Sequence, residues 1–256
     1  MNRLDPILAA TREEVSRRRD AVPASALGTR DAADFRSFTD ALARPGVSLI
    51  AEHKRASPSA GRIRADLALT DVVIAYERGG AAALSILTDG PSFDGSLDDL
   101  RAARATVRLP VLRKDFIVDP YQVQESFAAG ADAILLIVAA LSDADLSALF
   151  SSARELGLSV LVEVHDEREL DVALALGAPI IGINNRDLTT LEVDTRRTFE
   201  LLPRAAGRAL VVAESGFSRP DQLDELERAG VDAVLIGEAL MRSRDVEAAC
   251  RDFAVR

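Results

Sequence analysis

The chain has 256 residues, of which 48% are hydrophobic, enough to bury a large core and far more than a disordered chain carries. Its formal charge of −10 argues against a nucleic-acid or anionic-membrane surface, though not against a small anion held by a few lysines in a cleft. One cysteine, Cys250, allows no internal disulfide and suits a reducing cytoplasm, and two histidines, His53 and His165, are poor material for a zinc site or a Ser-His-Asp triad.

The opening segment, MNRLDPILAATREEVSRRRD, has no apolar run ahead of its charges, so no secretory signal is expected. The longest apolar run, Ile134 to Leu141, falls far short of the ~20 residues of a membrane helix. Residues 1–45 read as two helices, Pro6–Arg19 and Asp34–Leu42, forming an extension that caps one end of the strand-and-helix body, with direct contact to a substrate as the alternative.

From residue 47 onward, aliphatic strands alternate with amphipathic helices. The strands are Val47–Glu52, Ala82–Leu87, Pro110–Lys114, Ala133–Val138, Val160–Val164, Ile180–Asn184, Leu210–Glu214 and Ala233–Gly237. None alternates cleanly between apolar and polar, as expected of strands buried on both faces of a parallel sheet. The helices between and after them are Thr70–Arg78, Leu97–Thr106, Tyr121–Ala128, Asp143–Glu155, Glu167–Ala175, Thr195–Leu201, Pro220–Arg228 and Asp245–Phe253. Thr70, Ser142 and Asp166 are expected as caps, Pro120 and Pro220 at first turns, and Gly79-Gly80, Gly130, Gly177 and Gly230 as helix stops. Eight such pairs on short links read as a closed (β/α)₈ TIM barrel with an N-terminal helical extension, in one domain spanning 1–256. An open doubly wound sheet is the runner-up, but no G-x-G-x-x-G follows the first strand.

In such a barrel the chemistry sits at the C-terminal ends of the strands. Those ends carry Glu52 and Lys54, Lys114, Glu163, Asn184, Glu214 with Ser215, and Gly237 with Glu238. Residues two apart share a face of a strand, so Glu52 and Lys54 point the same way. Gly216 and Gly237 fall in the two loops where such barrels bind phosphate, with Ser57 and Ser59 able to donate after the first strand. Pro58, Phe93, Phe116, Leu188 and Leu191 would either wall an aromatic-ring pocket or plug the barrel top.

These residues resemble the indole-3-glycerol-phosphate synthase family. The likeness is carried by residues 50–59 (IAEHKRASPS), 112–117 (LRKDFI), 161–167 (LVEVHDE), 182–188 (GINNRDL), 213–216 (AESG) and 236–241 (IGEALM), with the SFDGS loop at 92–96. One departure stands after S-P-S, where the family often has Lys and this chain has Ala60.

The resemblance implies ring closure, decarboxylation and dehydration of 1-(2-carboxyphenylamino)-1-deoxyribulose 5-phosphate, without metal or organic cofactor. It implies Lys114 as general acid on the ketone oxygen, and Lys54 as holder of substrate anions with a share in the dehydration. Glu163 would be the base of that dehydration, with Glu52 and Glu214 orienting the lysines and Asn184 and Ser215 positioning polar groups. Lys54, Ser57, Gly216, Gly237 and Glu238 would bind the phosphate. Pro58, Phe93, Phe116, Leu135, Leu188 and Leu191 would enclose the anthranilate ring. Arg186 would orient a carboxylate, either the substrate's or one of the protein. A monomer or weak homo-oligomer with only a small-molecule partner is expected, with no nucleic acid or membrane. Phosphoribosylanthranilate isomerase fits less well, because that family has Cys and Asp where this chain has Glu52 and Asn184. Two further readings compete with it: a Schiff-base aldolase using Lys54 or Lys114, and an inactive scaffold barrel.

Overall fold

The computed structural model describes residues 4–64 and 66–254; the expected start of the N-terminal extension at residues 1–3 lies outside them. Eight parallel strands close on themselves. They are β1 (Ser48–His53), β2 (Ala83–Leu87), β3 (Val111–Lys114), β4 (Ala133–Ile137), β5 (Ser159–Val164), β6 (Ile180–Asn184), β7 (Leu210–Glu214) and β8 (Ala233–Ile236). Each pairs with the next in sequence, and β1 closes the ring on β8 with Ser48 opposite Ala233 and Ala51 opposite Ile236. The strand bounds expected from the aliphatic runs hold to within a residue.

The two faces of each strand feed two cores. Ile50, Leu112, Leu135, Leu161, Ile180, Val212 and Leu235 turn inward and fill the barrel. Their neighbours Leu49, Ile134, Val162, Ile181, Val211 and Val234 turn outward against the helices. This is why the strand sequences do not alternate: both faces are dry. Continuing the inward parity by two or four residues reaches Glu52, Lys114, Glu163, Asn184 and Glu214, so the packing that closes the barrel also fixes where these polar groups emerge.

The N-terminal extension works at both ends. Phe38 and Leu42, on the short helix Phe38–Leu42, are fully buried in the inner core, and Ser48 at the start of β1 donates its hydroxyl to the Ala41 and Leu42 carbonyls. The long helix Leu4–Ala21 instead sends Leu4 and Leu8 into the same core as Phe116 near the opposite mouth. Arg18 pairs with Glu125 at 2.9 Å and Arg19 with Asp119 at 3.2 Å, pinning it to helix Pro120–Ala129. The second helix expected over Asp34–Leu42 is interrupted. The backbone N–H of Arg36 leaves for Asp132 (2.9 Å), and Ser37 then caps a new helix by accepting from Asp40.

Other boundaries shifted for local reasons. Helix Leu69–Arg78 starts after Ala68 with no side-chain cap, so Thr70 lies inside it. Ser142 and Asp166 cap as expected, accepting from Asp145 and Glu169. The helix expected to end at Leu201 runs Arg196–Ala205 through Pro203, and Pro220–Gln222 is a 3₁₀ turn ahead of helix Leu223–Ala229. Helix Leu69–Arg78 stops at the Gly79-Gly80 pair as expected: Gly79 is the cap at φ −72°, where a Cβ would strike Cys250 of the C-terminal helix, and Gly80 makes the turn at +91°.

Candidate active site

The strand ends open into one cavity of about 460 Å³, within the range for small-molecule sites. Every candidate residue from the sequence lines it, from Glu52 on β1 to Glu238 after β8. Lys54 Nζ sits 2.8 Å from Glu52 Oε1. Across the barrel, Lys114 Nζ lies 2.9 Å from Glu163 Oε2 and 3.4 Å from Glu214 Oε2. Asn184 donates to the other Glu163 oxygen at 3.0 Å. The three carboxylates are almost wholly buried, Glu163 at 1%, Glu214 at 2% and Glu52 at 4% exposure. Two glycines make room for them. A Cβ at Gly182 would run into the Glu214 carboxylate, and one at Gly237 into that of Glu52.

Burying these groups sets their proton affinities apart. Desolvation pushes the Lys114 ammonium down, but Glu163, Glu214 and Glu52 outweigh it and hold it above the ordinary lysine value. Glu163 is pushed up by burial and pulled down further by Lys114, His165 and Asn184, so it stays ionised. Burial raises Glu214, and neighbouring Glu163 and Glu52 help keep it raised against the pull of Lys114. Two carboxylates thus share one ammonium, with Glu163 holding the charge.

The loops after β7 and β8 differ in detail from the sequence reading. Ser215 and Gly216 both adopt left-handed backbone, at φ +62° and +89°. That conformation is costly for serine, and Asn185 secures it by donating to the carbonyls of Glu214 and Ser215, each at 3.0 Å. A Cβ at Gly216 would meet Thr195 and Val193 of the preceding loop. Glycine is therefore needed there for backbone conformation and loop packing. Gly237 needs no positive φ; its missing side chain leaves room for Glu52. Glu238 opens a short helix, Glu238–Arg242, and turns its carboxylate to Arg242 at 2.9 Å. Ser57 accepts from the Ala60 backbone within the small ribbon formed by Ala56–Ser57 and Gly61–Arg62.

Four of the six apolar candidates share one wall. Phe116 and Leu135 belong to the inner core cluster and Phe93 and Leu188 pack against it, with the Phe93 and Phe116 rings 6.4 Å apart; Pro58 and Leu191 line the cavity outside that cluster. Leu4 and Ile7 of the N-terminal helix line the cavity too. Arg186 spends one guanidinium nitrogen on the Leu191 carbonyl (3.1 Å), fastening its own loop.

Several residues at the site were not singled out from the sequence. Asn185 and Arg113 each stand one position off the inward parity, a signal that they belong to the layer between strands and helices. Arg113 is fully buried there against Asp115 (2.8 Å) and Glu125 (3.0 Å). Arg242 lines the cavity and is a cation unforeseen beside the loop after β8. His165 stands directly behind Glu163. Among the described residues, no group of three or more His, Cys, Asp or Glu is arranged to hold a metal ion, and no helix is long and apolar enough to cross a membrane.

A closed (β/α)₈ barrel thus gathers ammonium and carboxylate groups at its C-terminal mouth. Solved structures share the fold at low identity. A thiamine phosphate pyrophosphorylase from Pyrococcus furiosus superposes with TM-score 0.62 at 18% identity, covering 85% of this chain and 96% of its own. A 3-hexulose-6-phosphate synthase from Salmonella typhimurium gives 0.62 at 15% identity, over 81% and 97%.

Sequence comparison is more specific. The family model for indole-3-glycerol phosphate synthase matches residues 4–253. The indole-3-glycerol phosphate synthase of Laribacter hongkongensis is 49% identical over 254 residues, 96% of each chain. That of Azospirillum brasilense is 49% identical, over 93% of each. The chain belongs to the indole-3-glycerol phosphate synthase family.

Proposed function

We propose that the chain is a carbon–carbon lyase that converts 1-(2-carboxyphenylamino)-1-deoxyribulose 5-phosphate to indole-3-glycerol phosphate, with Lys114 as the proton donor of ring closure. The observation that carries this reading is Lys114 Nζ held between Glu163 and Glu214 inside the cavity that also contains the Lys54–Glu52 pair. The phosphate would lie against the loops after β7 and β8, and the anthranilate ring against Phe93, Phe116 and Leu188.

Ring closure attacks the ketone with the ring carbon that bears the carboxylate, and negative charge grows on the ketone oxygen. Lys114, kept protonated by its carboxylates, donates to that oxygen. Its raised proton affinity is no obstacle, because an alkoxide is far more basic than an amine. Carbon dioxide then leaves and the ring regains aromaticity. In the dehydration Glu163 accepts a proton as the hydroxyl departs, aided by Lys54. Glu163 is suited to this because its charge depends on Lys114: once Lys114 has given up its proton, Glu163 becomes a better base. The same electrostatics disfavour a Schiff base, which requires a neutral lysine.

Purified protein mixed with the carboxyphenylamino-deoxyribulose phosphate should produce indole fluorescence with one carbon dioxide released per turnover. Substrate left unchanged would overturn the assignment. Borohydride with a sugar phosphate should trap no adduct on Lys54 or Lys114.

A further inference from the structure

We infer that His165 is a positioning residue for this reaction, an imidazolium wedged between Glu163 and Glu169 that holds Glu163 in place and in its charged form. The inference rests on the reading of Glu163 as the base of the dehydration.

The geometry comes from the turn after β5. Glu163 and His165 share a strand parity, so the imidazole follows the carboxylate toward the same side. Ring Nδ1 lies 2.9 Å from Glu169 Oε2, which also accepts the His165 backbone N–H at 2.8 Å. Glu169 sits in the first turn of helix Glu167–Ala175 and is fixed there by Asp166, which accepts its N–H at 2.8 Å. The other ring nitrogen, Nε2, lies 3.3 Å from Glu163 Oε1 and is buried, with no well-aligned hydrogen bond among the described residues.

Each ring nitrogen therefore faces a carboxylate oxygen. An ionised carboxylate only accepts, so both nitrogens should carry protons; a neutral ring would set a lone pair against one of them. Burial pushes the imidazole down, but the close Glu163 carboxylate and the hydrogen bond and charge of Glu169 outweigh it and lift His165 to about 9. The charged groups facing it are Glu163 from β5 and Glu169 from the helix; neighbouring Asn184 from β6 is neutral. Glu163 thus has Lys114 on one oxygen and His165 on the other. Lys114 spends its proton on the substrate during the cycle. His165 lies behind the carboxylate and keeps it aimed into the cavity while Lys114 is neutral.

Two histidines make the test direct. In ¹⁵N-histidine NMR of the full chain, His165 should show both ring nitrogens protonated through pH 8. His53, lowered to about 4 by burial and by nearby Arg55, should be neutral above pH 6. In His165→Asn, the acidic limb of the kcat profile should move up by roughly one pH unit with KM little changed, the size expected for one lost neighbouring cation. Glu169→Gln, which does not touch Glu163, should move it in the same direction by weakening the His165 charge. A neutral His165 in the wild-type protein at pH 7 overturns the inference, as does an unmoved limb in either folded variant. If His165→Asn does not fold, the NMR titration and Glu169→Gln decide. Undiminished kcat in Glu163→Gln would remove the role of Glu163 itself. An inactive Glu163→Gln beside an unmoved limb would remove that of His165 alone.

Discussion

At the scale of single residues, the site is built as much by what is missing as by what is present. Gly237 has ordinary backbone, yet a Cβ there would come within 2.5 Å of Glu52 Oε1. Gly237→Ala should therefore push Glu52 aside, break its 2.8 Å pair with Lys54, and lower kcat/KM by ~10- to ~100-fold through misplacement alone. Unaltered kinetics in a crystallographically verified Gly237→Ala protein would show that Glu52 is not held by this contact. The sequence marked Gly237 as part of a phosphate cradle, because loop position was visible. Its contact with Glu52 was not, since that neighbour stands on the first strand and is reached only through closure of β1 on β8. The same limit applies at Lys114 and Arg113. Their adjacency in sequence hides that one opens into the cavity while the other is sealed beneath helix Pro120–Ala129.

At the scale of elements, the strands were legible because burial on both faces leaves short aliphatic runs, and the parity of those runs carries through to the polar strand ends. The N-terminal extension was less legible. Its helical character showed, but Leu4 and Ile7 reaching the cavity and Phe38 filling the opposite end are long-range contacts with no local signature. Phe38 has 0% exposure. Phe38→Ala should cost ~3–5 kcal/mol in urea unfolding, the range for emptying a buried aromatic site, and leave kcat of the folded protein nearly intact. A loss below ~1 kcal/mol would mean that the barrel floor does not depend on this helix.

At the scale of the whole molecule, the buried titratable groups predict how stability follows pH. His165 binds its proton more tightly in the folded chain (about 9) than at its ordinary 6.5. Its stabilisation is complete below pH 6.5 and is lost as pH rises through 9. Glu214, raised by burial from its ordinary 4.5 to about 8, adds a loss of the same sign that runs from pH 4.5 to 8. His53 works oppositely: lowered to about 4, it stabilises fully above 6.5 and loses that contribution as pH falls toward 4. Melting temperature should therefore vary little between pH 4.5 and 6.5, where the His53 gain offsets the Glu214 loss, and decline from 6.5 toward pH 9, with a shallower alkaline decline in His165→Asn. A flat profile from 6.5 to 9 would contradict the charged imidazole. The acidic net charge remains compatible with an anionic substrate because Lys54, Lys114 and Arg242 are gathered at one mouth.

The claim on which the rest depends is that Lys114 delivers the proton that drives ring closure. The most direct test is kcat of Lys114→Ala on the carboxyphenylamino-deoxyribulose phosphate, followed by indole fluorescence, with folding checked by circular dichroism. A fall of at least ~10²-fold is predicted, the scale of one general acid. Turnover within a few-fold of the wild-type chain would contradict it.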